Sequence, residues 1–201
     1  MLARFNPATV FRAGLLPLLG IIVAVALSLS TPARAATSCP GSDLAMQAGR
    51  AFVAAARTGR ASDFASALSK YADMHRIALF ALGRYRKSLP AGETNEFVHL
   101  TSRYVANTLA DFARKFRATR ISLIECRGGN VATRLEFGAR PAQRATWRIA
   151  QGKVVDVNVQ RVWLAQLLRD NFVGILRKAG GNMAILMSNL GAAPPRKLGS
   201  N

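Results

Sequence analysis

The stretch RATRISLIECRGGNVATRLEF, residues 117–137, is where the periodicity of the chain changes. Upstream of it apolar residues recur every three to four positions; from Arg117 they recur at every second one. Ile121, Leu123 and Glu125 alternate with Ser122, Ile124 and Cys126, and Gly128-Gly129-Asn130 turns the chain back. Val131, Thr133, Leu135 and Phe137 then share one side, opposite Arg134 and Glu136. A strand with one covered face reads this way, because successive side chains point to opposite faces. After Pro141 a third strand carries Ala145, Trp147 and Ile149, and the Gln151-Gly152 turn leads to a fourth with Val155, Val157 and Val159. Turns this short join antiparallel neighbours, so the spacing predicts a four-stranded antiparallel meander over about residues 117–162.

Helical periodicity occupies both flanks. Leu44, Ala48, Phe52 and Ala55 step along a first helix, with Ser42 or Asp43 as N-cap and Gly59 as its end. A second follows Ser62, with Phe64, Leu68 and Tyr71 inward. Asp73 caps a third, whose stripe is Met74, Ile77, Ala78, Ala81, Leu82 and Tyr85, and Pro90-Ala91-Gly92 breaks it. The fourth, from Glu93 to Lys115, repeats Phe97, Leu100, Tyr104, Thr108, Leu109, Phe112 and Phe116 on one face, over roughly 35 Å. Beyond the meander a helix from Leu164 buries Leu167, Leu168, Phe172, Ile175 and Leu176 and stops at Gly180-Gly181. A short last one holds Met183, Leu186, Met187 and Leu190. Helices gathered on one face of an antiparallel sheet give an α+β domain. Six apolar stripes exceed what four strands need for cover. Either the helices stack in a double layer or they wall an apolar cavity, and periodicity does not choose between these.

The front of the chain reads as an export signal. Arg4 and Arg12 form a basic head, residues 13–30 are an uncharged apolar core, and Ala33-Arg34-Ala35 has the small-x-small pattern of a cleavage site. Pro17, Gly14 and Gly20 interrupt the apolar run, which argues against a retained membrane anchor. Arg34 and the gap before Cys39 argue against lipid attachment at that cysteine. The expected organisation is a signal at residues 1–35, one domain over 36–190, and a flexible tail with two prolines over 191–201.

Export decides what the charge means. The full chain carries 28 Lys+Arg against 10 Asp+Glu, and loss of Arg4, Arg12 and Arg34 leaves 25 against 10, a net +15. In the cytoplasm such an excess would point to nucleic acid. Outside it, with the basic residues scattered, the abundant anion is the lipid headgroup, toward which each Lys or Arg contributes on the order of 1 kcal/mol. The alternative is that the excess serves solubility alone. Cys39 and Cys126 are the only cysteines, in a compartment that permits disulfides. Bridged, they would close a loop of about 90 residues and stabilise the fold by ~4 kcal/mol at most; two free thiols are the other reading.

Catalytic patterns are missing. His75 and His99 have no partner in the sequence and fall on solvated helix faces. There is no Gly-x-Ser-x-Gly elbow, no His-Glu-x-x-His and no phosphate loop, and nothing calls for a metal or cofactor. An isomerase with a conical pocket would need an acid converging on Tyr71, Tyr85 or Tyr104, and none shares a face with them. Asp156, amid valines, reads as the polar side of a half-exposed strand. The chain is therefore expected not to be an enzyme.

Two stretches resemble a known family, the MlaC (toluene-tolerance) carriers of Mla-type lipid transport. One is Asp73-Met74, Ile77-Ala78 and Leu82-Gly83-Arg84-Tyr85, followed by Pro90 and Phe97. The other is Trp147, Val154-Val155-Asp156-Val157 and Val159, then Leu164, Arg169, Phe172, Ile175, Gly180 and Leu186. The resemblance spans about Leu44 to Leu190. Two places depart from it: Gln160-Arg161-Val162-Trp163 stands where a glycine and small polar residues are usual, and Arg86 where an aromatic residue is common. The resemblance implies a periplasmic carrier that encloses lipid tails between sheet and helices. It implies exchange with an inner-membrane complex of an MCE-type protein and an ABC transporter, and with an outer-membrane lipoprotein complex. One branch of the family is associated with hopanoids, so a polycyclic lipid is an alternative to phospholipid, and an adaptor with a filled core is another.

On that reading the lipid-lining residues would be Met74, Ile77, Ala78, Leu82 and Tyr85 on the third helix and Phe97, Leu100, Tyr104 and Leu109 on the fourth. Leu135, Trp147 and Val157 would face them from the sheet, with Phe172 behind. Arg84, Arg103 and Arg169 would be the headgroup candidates. Enlarging Ala78 or Leu100 to Trp would then spare the fold and displace lipid.

Overall fold

The computed structural model describes residues 39–115 and 118–191. The expected signal, Phe116, Arg117 and the tail beyond residue 191 lie outside the described residues. Helix α1 (Ser42–Thr58) buries Ala45, Ala48, Val53 and Ala56. Neither Ser42 nor Asp43 caps it, contrary to expectation. Gly41 holds the N-cap position at φ 84°, a left-handed conformation that glycine adopts without strain, and Ser42 becomes the first helical residue. α2 (Ala61–Tyr71) turns in Phe64, Leu68 and Tyr71. α3 (Met74–Ala81) is capped by Asp73, whose carboxylate accepts the Arg76 N–H at 2.9 Å.

The stripe expected to run on to Tyr85 ends at Ala81. Gly83 takes φ 54° and residues Gly83–Ser88 tighten into a 3₁₀ turn. A Cβ at Gly83 would lie 3.0 Å from Arg169 Nε and 3.1 Å from Val173 Cγ2. The glycine of the Leu-Gly-Arg-Tyr run thus lets the chain turn hard against a neighbouring helix. A second 3₁₀ turn, Ala91–Glu93, leads into the long helix α4 (Thr94–Lys115).

The meander has five strands rather than four: β1 (Arg120–Arg127), β2 (Asn130–Phe137), β3 (Arg140–Ala150), β4 (Lys153–Val159) and β5 (Val162–Trp163), antiparallel and in that spatial order. The extra strand is two residues long, too short for periodicity to announce. It folds back through Gln160 (φ 52°) and Arg161 (φ 69°), both left-handed without being glycine, a conformation that costs about 1–2 kcal/mol per residue. This tight turn occupies the place where the sequence departs from its resemblance. Val131, Trp147 and Val157 stand in one cross-strand row, and Thr133, Ala145 and Val159 in the next. Register shifts at Leu123/Glu125, Leu135/Phe137 and Arg148/Ile149 interrupt the ladder, and bulges of this kind bend and twist a sheet.

From β5 the chain passes directly into α5 (Leu164–Lys178), then α6 (Met183–Gly191). The joint between α2 and α3 is pinned to the sheet, since Asp73 N–H donates to Val154 O at 2.9 Å. A disulfide joins Cys39, just ahead of α1, to Cys126 at the end of β1. Trp147 Nε1 donates to the buried Thr133 hydroxyl at 2.8 Å, so both polar groups on the covered face are satisfied. The apolar interior falls into a cluster among α3, α4, α5 and α6, one between α1 and the sheet, and one among α1, α2 and α4.

Candidate functional site

The two last clusters do not close on each other. Between the covered sheet face and the helices lies a cavity of about 190 Å³. Its walls are Phe52, Val53 and Ala56 of α1, Phe64 and Leu68 of α2, Met74 and Ile77 of α3, and Val105, Leu109 and Ala113 of α4. The sheet contributes Leu135, Phe137, Trp147, Val154, Val157 and Val159, and α5 contributes Leu164 and Leu168. Phe52 bridges the walls, its ring 6.3 Å from Phe64 and 6.2 Å from Trp147. A smaller void of about 60 Å³ between α4 and α5 shares Val105, Leu109, Leu164 and Leu168 with it. Asn171 Nδ2 donates to Tyr104 Oη at 2.6 Å beside that void, and burial pushes the Tyr104 phenol above its usual pKa, against the Asn171 hydrogen bond.

Among the described residues the one ionisable side chain on the cavity wall is Asp156, and it differs from the half-exposed strand residue expected. It is buried. Its Oδ1 accepts the N–H of Val157 at 2.8 Å and of Ala165 at 2.9 Å. The first residue pair of α5 has no cap from its own flank, Trp163 offering none, so this carboxylate reaches across from β4 to cap the helix. Burial raises its pKa; the two N–H groups and the Arg148 guanidinium, 4.0 Å away, act the other way. With its lone pairs so engaged, Asp156 has a structural use, and none of Tyr71, Tyr85 or Tyr104 lines the cavity beside it.

Of the residues expected from sequence, Met74, Ile77, Leu109, Leu135, Trp147 and Val157 line the cavity. Ala78, Leu82, Phe97, Tyr104 and Phe172 do not. They form the packed helical cluster, with Tyr85 and Leu100 against its edge, and Phe172 meets Phe97 and Tyr104 edge-on at 6.1 and 5.8 Å. The reason is angular. Phe97, Leu100 and Tyr104 follow one stripe of α4 and Val105, Leu109 and Ala113 another, since adjacent helical positions differ by about 100°. One face of the helix serves α5 and α6 while the other serves the cavity. The walls from α1 and α2 were legible as apolar stripes, but no signal in them says that their partner stands off.

The three headgroup candidates also lie away from the cavity wall. Arg84 donates to Tyr85 Oη at 3.1 Å and stacks over that ring; Arg103 donates to Gly191 O at 3.4 Å; Arg169 lies over Phe80, 5.2 Å from its centroid. His75 and His99 are both exposed. Among the described residues no group of three His, Cys, Asp or Glu is placed to hold a metal, and no helix is long and apolar enough to cross a membrane.

No curated protein matches the chain. Among solved structures, a phospholipid-binding protein from Ralstonia solanacearum, determined in complex with a phospholipid, is similar in fold: 17% identical, TM-score 0.56, covering 74% of this chain and 93% of that one. The sequence profile described as MlaC protein matches residues 45–191, which is most of the chain and includes every helix and strand of the fold except the first three residues of α1; the chain belongs to the MlaC family.

Proposed function

We propose that this chain is a periplasmic lipid carrier. It takes up phospholipid tails in the apolar cavity and serves as the soluble partner of an Mla-type system, between an inner-membrane MCE-protein/ABC transporter complex and an outer-membrane lipoprotein complex. The observation that carries this reading is the cavity, whose only ionisable wall residue among those described is already hydrogen-bonded. Family membership and the phospholipid in the structurally similar protein support it. Moving lipid tails into water costs ~0.8 kcal/mol per CH₂, so a container as apolar as the bilayer makes transfer feasible with no chemistry. Such a role asks for no catalytic group.

At about 190 Å³ the cavity exceeds the ~150 Å³ that takes a benzene-sized guest and falls short of the ~300 Å³ at which drug-sized sites begin. Uptake of a chain therefore widens it. The adjoining space is the void between α4 and α5, which shares Val105, Leu109, Leu164 and Leu168 with the cavity. Outside, the basic excess draws the carrier to anionic membrane surfaces, an attraction that salt screens.

Native mass spectrometry of the chain expressed with its signal and purified from the periplasm tests the reading. Stoichiometric phospholipid, or its uptake from vesicles by delipidated protein, is the expected result. Protein that carries none and takes up none would overturn it.

A further inference from the structure

On the other side of Asp156 the surface opens into a groove of about 390 Å³, bordered by α3, the following 3₁₀ turn, β3, β4 and the start of α5. Its floor is apolar, from Ile77, Leu79 and Val155, and its rim is basic, from Arg76, Arg86 and Arg148, with His75 beside them. The groove shares Ile77, Asp156 and Ala165 with the cavity, so the two lie on opposite sides of one wall.

The state of the three guanidinium groups differs. Arg148 is fixed, 4.0 Å from Asp156 Oδ2 and stacked 4.2 Å over the Trp163 ring. Among the described residues Arg76 and Arg86 have no carboxylate partner and no side-chain hydrogen bond. Both are exposed and both face the groove. Three cations thus meet one carboxylate that is itself tied to two backbone N–H groups. Two planar forks without partners beside a third held in place are a receptor for a tetrahedral oxyanion, which guanidinium groups bind in pairs of parallel hydrogen bonds. A positive charge of this kind over a wet, partly apolar floor suits an anion that remains accessible to solvent.

We propose that the groove of Arg76, Arg86 and Arg148 binds a phosphate group, lying back to back with the apolar cavity. Two sources supply that chemistry. One is the phosphate of a lipid whose tails occupy the cavity, which rests on the carrier reading and requires the shared wall at Ile77, Asp156 and Ala165 to part on loading. The other is free phosphate or a soluble phosphate ester, which does not. Arg86 stands where the resemblance expects an aromatic residue, so this member of the rim is not part of the pattern that carries the resemblance.

The test uses full-length mature protein, the double variant Arg76→Gln/Arg86→Gln, and a charge-matched control, Arg177→Gln/Lys178→Gln, at the exposed far end of α5. Inorganic phosphate and glycerol phosphate are titrated at low salt by NMR. In parallel, delipidated protein is loaded from vesicles containing phosphatidylglycerol and diacylglycerol with the same tails. For the headgroup source, phosphatidylglycerol is preferred by wild type and control, and the double variant loses about tenfold of that preference with diacylglycerol uptake unchanged. For the free source, phosphate affinity falls about tenfold in the double variant alone, and the lipid ratio does not move. If both readouts are equal in all three proteins, or fall equally in the control, the groove is not a phosphate site. If no protein loads any lipid while phosphate binding keeps its dependence on Arg76 and Arg86, the carrier reading fails and the groove stands.

Discussion

The helical cluster and the sheet-facing layer use the same kinds of residue and reach opposite outcomes. Around Phe172, four helices pack closely: Ala78, Leu82, Phe97, Leu176 and Leu186 have no exposed surface, and the aromatic rings interlock edge to face. Against the sheet, Phe52, Phe64 and Trp147 are equally apolar yet leave about 190 Å³ between them. The difference lies in approach. Ala78 and Ala81 let α3 come close to its neighbours, and α1 comes close to the sheet through Ala45, Ala48 and Gly49, where a Cβ on the glycine would collide with Ile121 Cδ1 and lie 3.3 Å from Trp147 Cζ2. α4 makes no such approach to the strands. Small residues decide which layers touch, and large ones line what remains.

The hardest blow to this contrast is Phe172→Ala. It should cost about 3–5 kcal/mol, as truncation of a filled core does, seen as a lower denaturant midpoint at unchanged slope. A loss below about 1 kcal/mol would mean that the helical cluster is not the stable half.

Enlargement separates the halves next. Ala78→Trp should destabilise by about 1–3 kcal/mol or more, as overpacking does. The sequence alone predicts tolerance at Ala78; its place in the packed helical cluster reverses that expectation. Leu109→Trp should instead leave delipidated protein within about 1 kcal/mol of wild type while reducing phospholipid uptake, because the indole fills the existing space. Thermal melts beside lipid content by mass spectrometry make the comparison, and equal destabilisation by both substitutions would erase the distinction.

A smaller gain is expected at the turn into β5. Gln160→Asn with Arg161→Gly relieves two left-handed non-glycine residues and should stabilise the fold by roughly 1 kcal/mol or somewhat more, read as a raised midpoint. A lowered midpoint would mean that the Gln160 and Arg161 side chains contribute contacts worth more than their backbone strain.

The smallest effect belongs to the wall shared by cavity and groove. Because burial raises the Asp156 pKa, the folded state binds its proton more tightly than the unfolded chain. Stability from that group is fully present below about pH 4 and is lost as pH rises through the folded value. Asp156→Asn keeps a carbonyl oxygen to cap Ala165 and removes this slope. Stability of wild type relative to the Asn variant should fall as pH rises above about 4; a constant difference would contradict the shift.

These contrasts also show which parts of the molecule a sequence exposes. The four longer strands, α1, α4 and α5 and the Asp73 cap were legible, because each follows from a local period or a single side chain. The end of α3 at Ala81 was not, since Gly83 turns left-handed to make room for Arg169, a residue far along the chain. The lining was legible in part. Apolar stripes at Met74, Ile77 and Leu109 were evident, but their neighbours Phe97 and Tyr104 carry the same signal and pack against helices instead. Asp156 as a cap and the meeting of Arg76, Arg86 and Arg148 depend on tertiary placement alone.

The disulfide has a mechanical consequence. It ties the chain before α1 to the end of β1, so α1 to α4 lie inside a covalent ring while β2 to β5, α5 and α6 lie outside it. Under tension applied at residues 39 and 191 the ring carries no load, and only the outer segment lengthens, by roughly 230 Å at about 3.5 Å per residue. Reduced protein would release more than twice that length. A single-molecule pulling trace would thus report the state of one bond through the extent of unfolding, with the α5 and sheet walls of the cavity giving way while the walls from α1 and α2 are shielded.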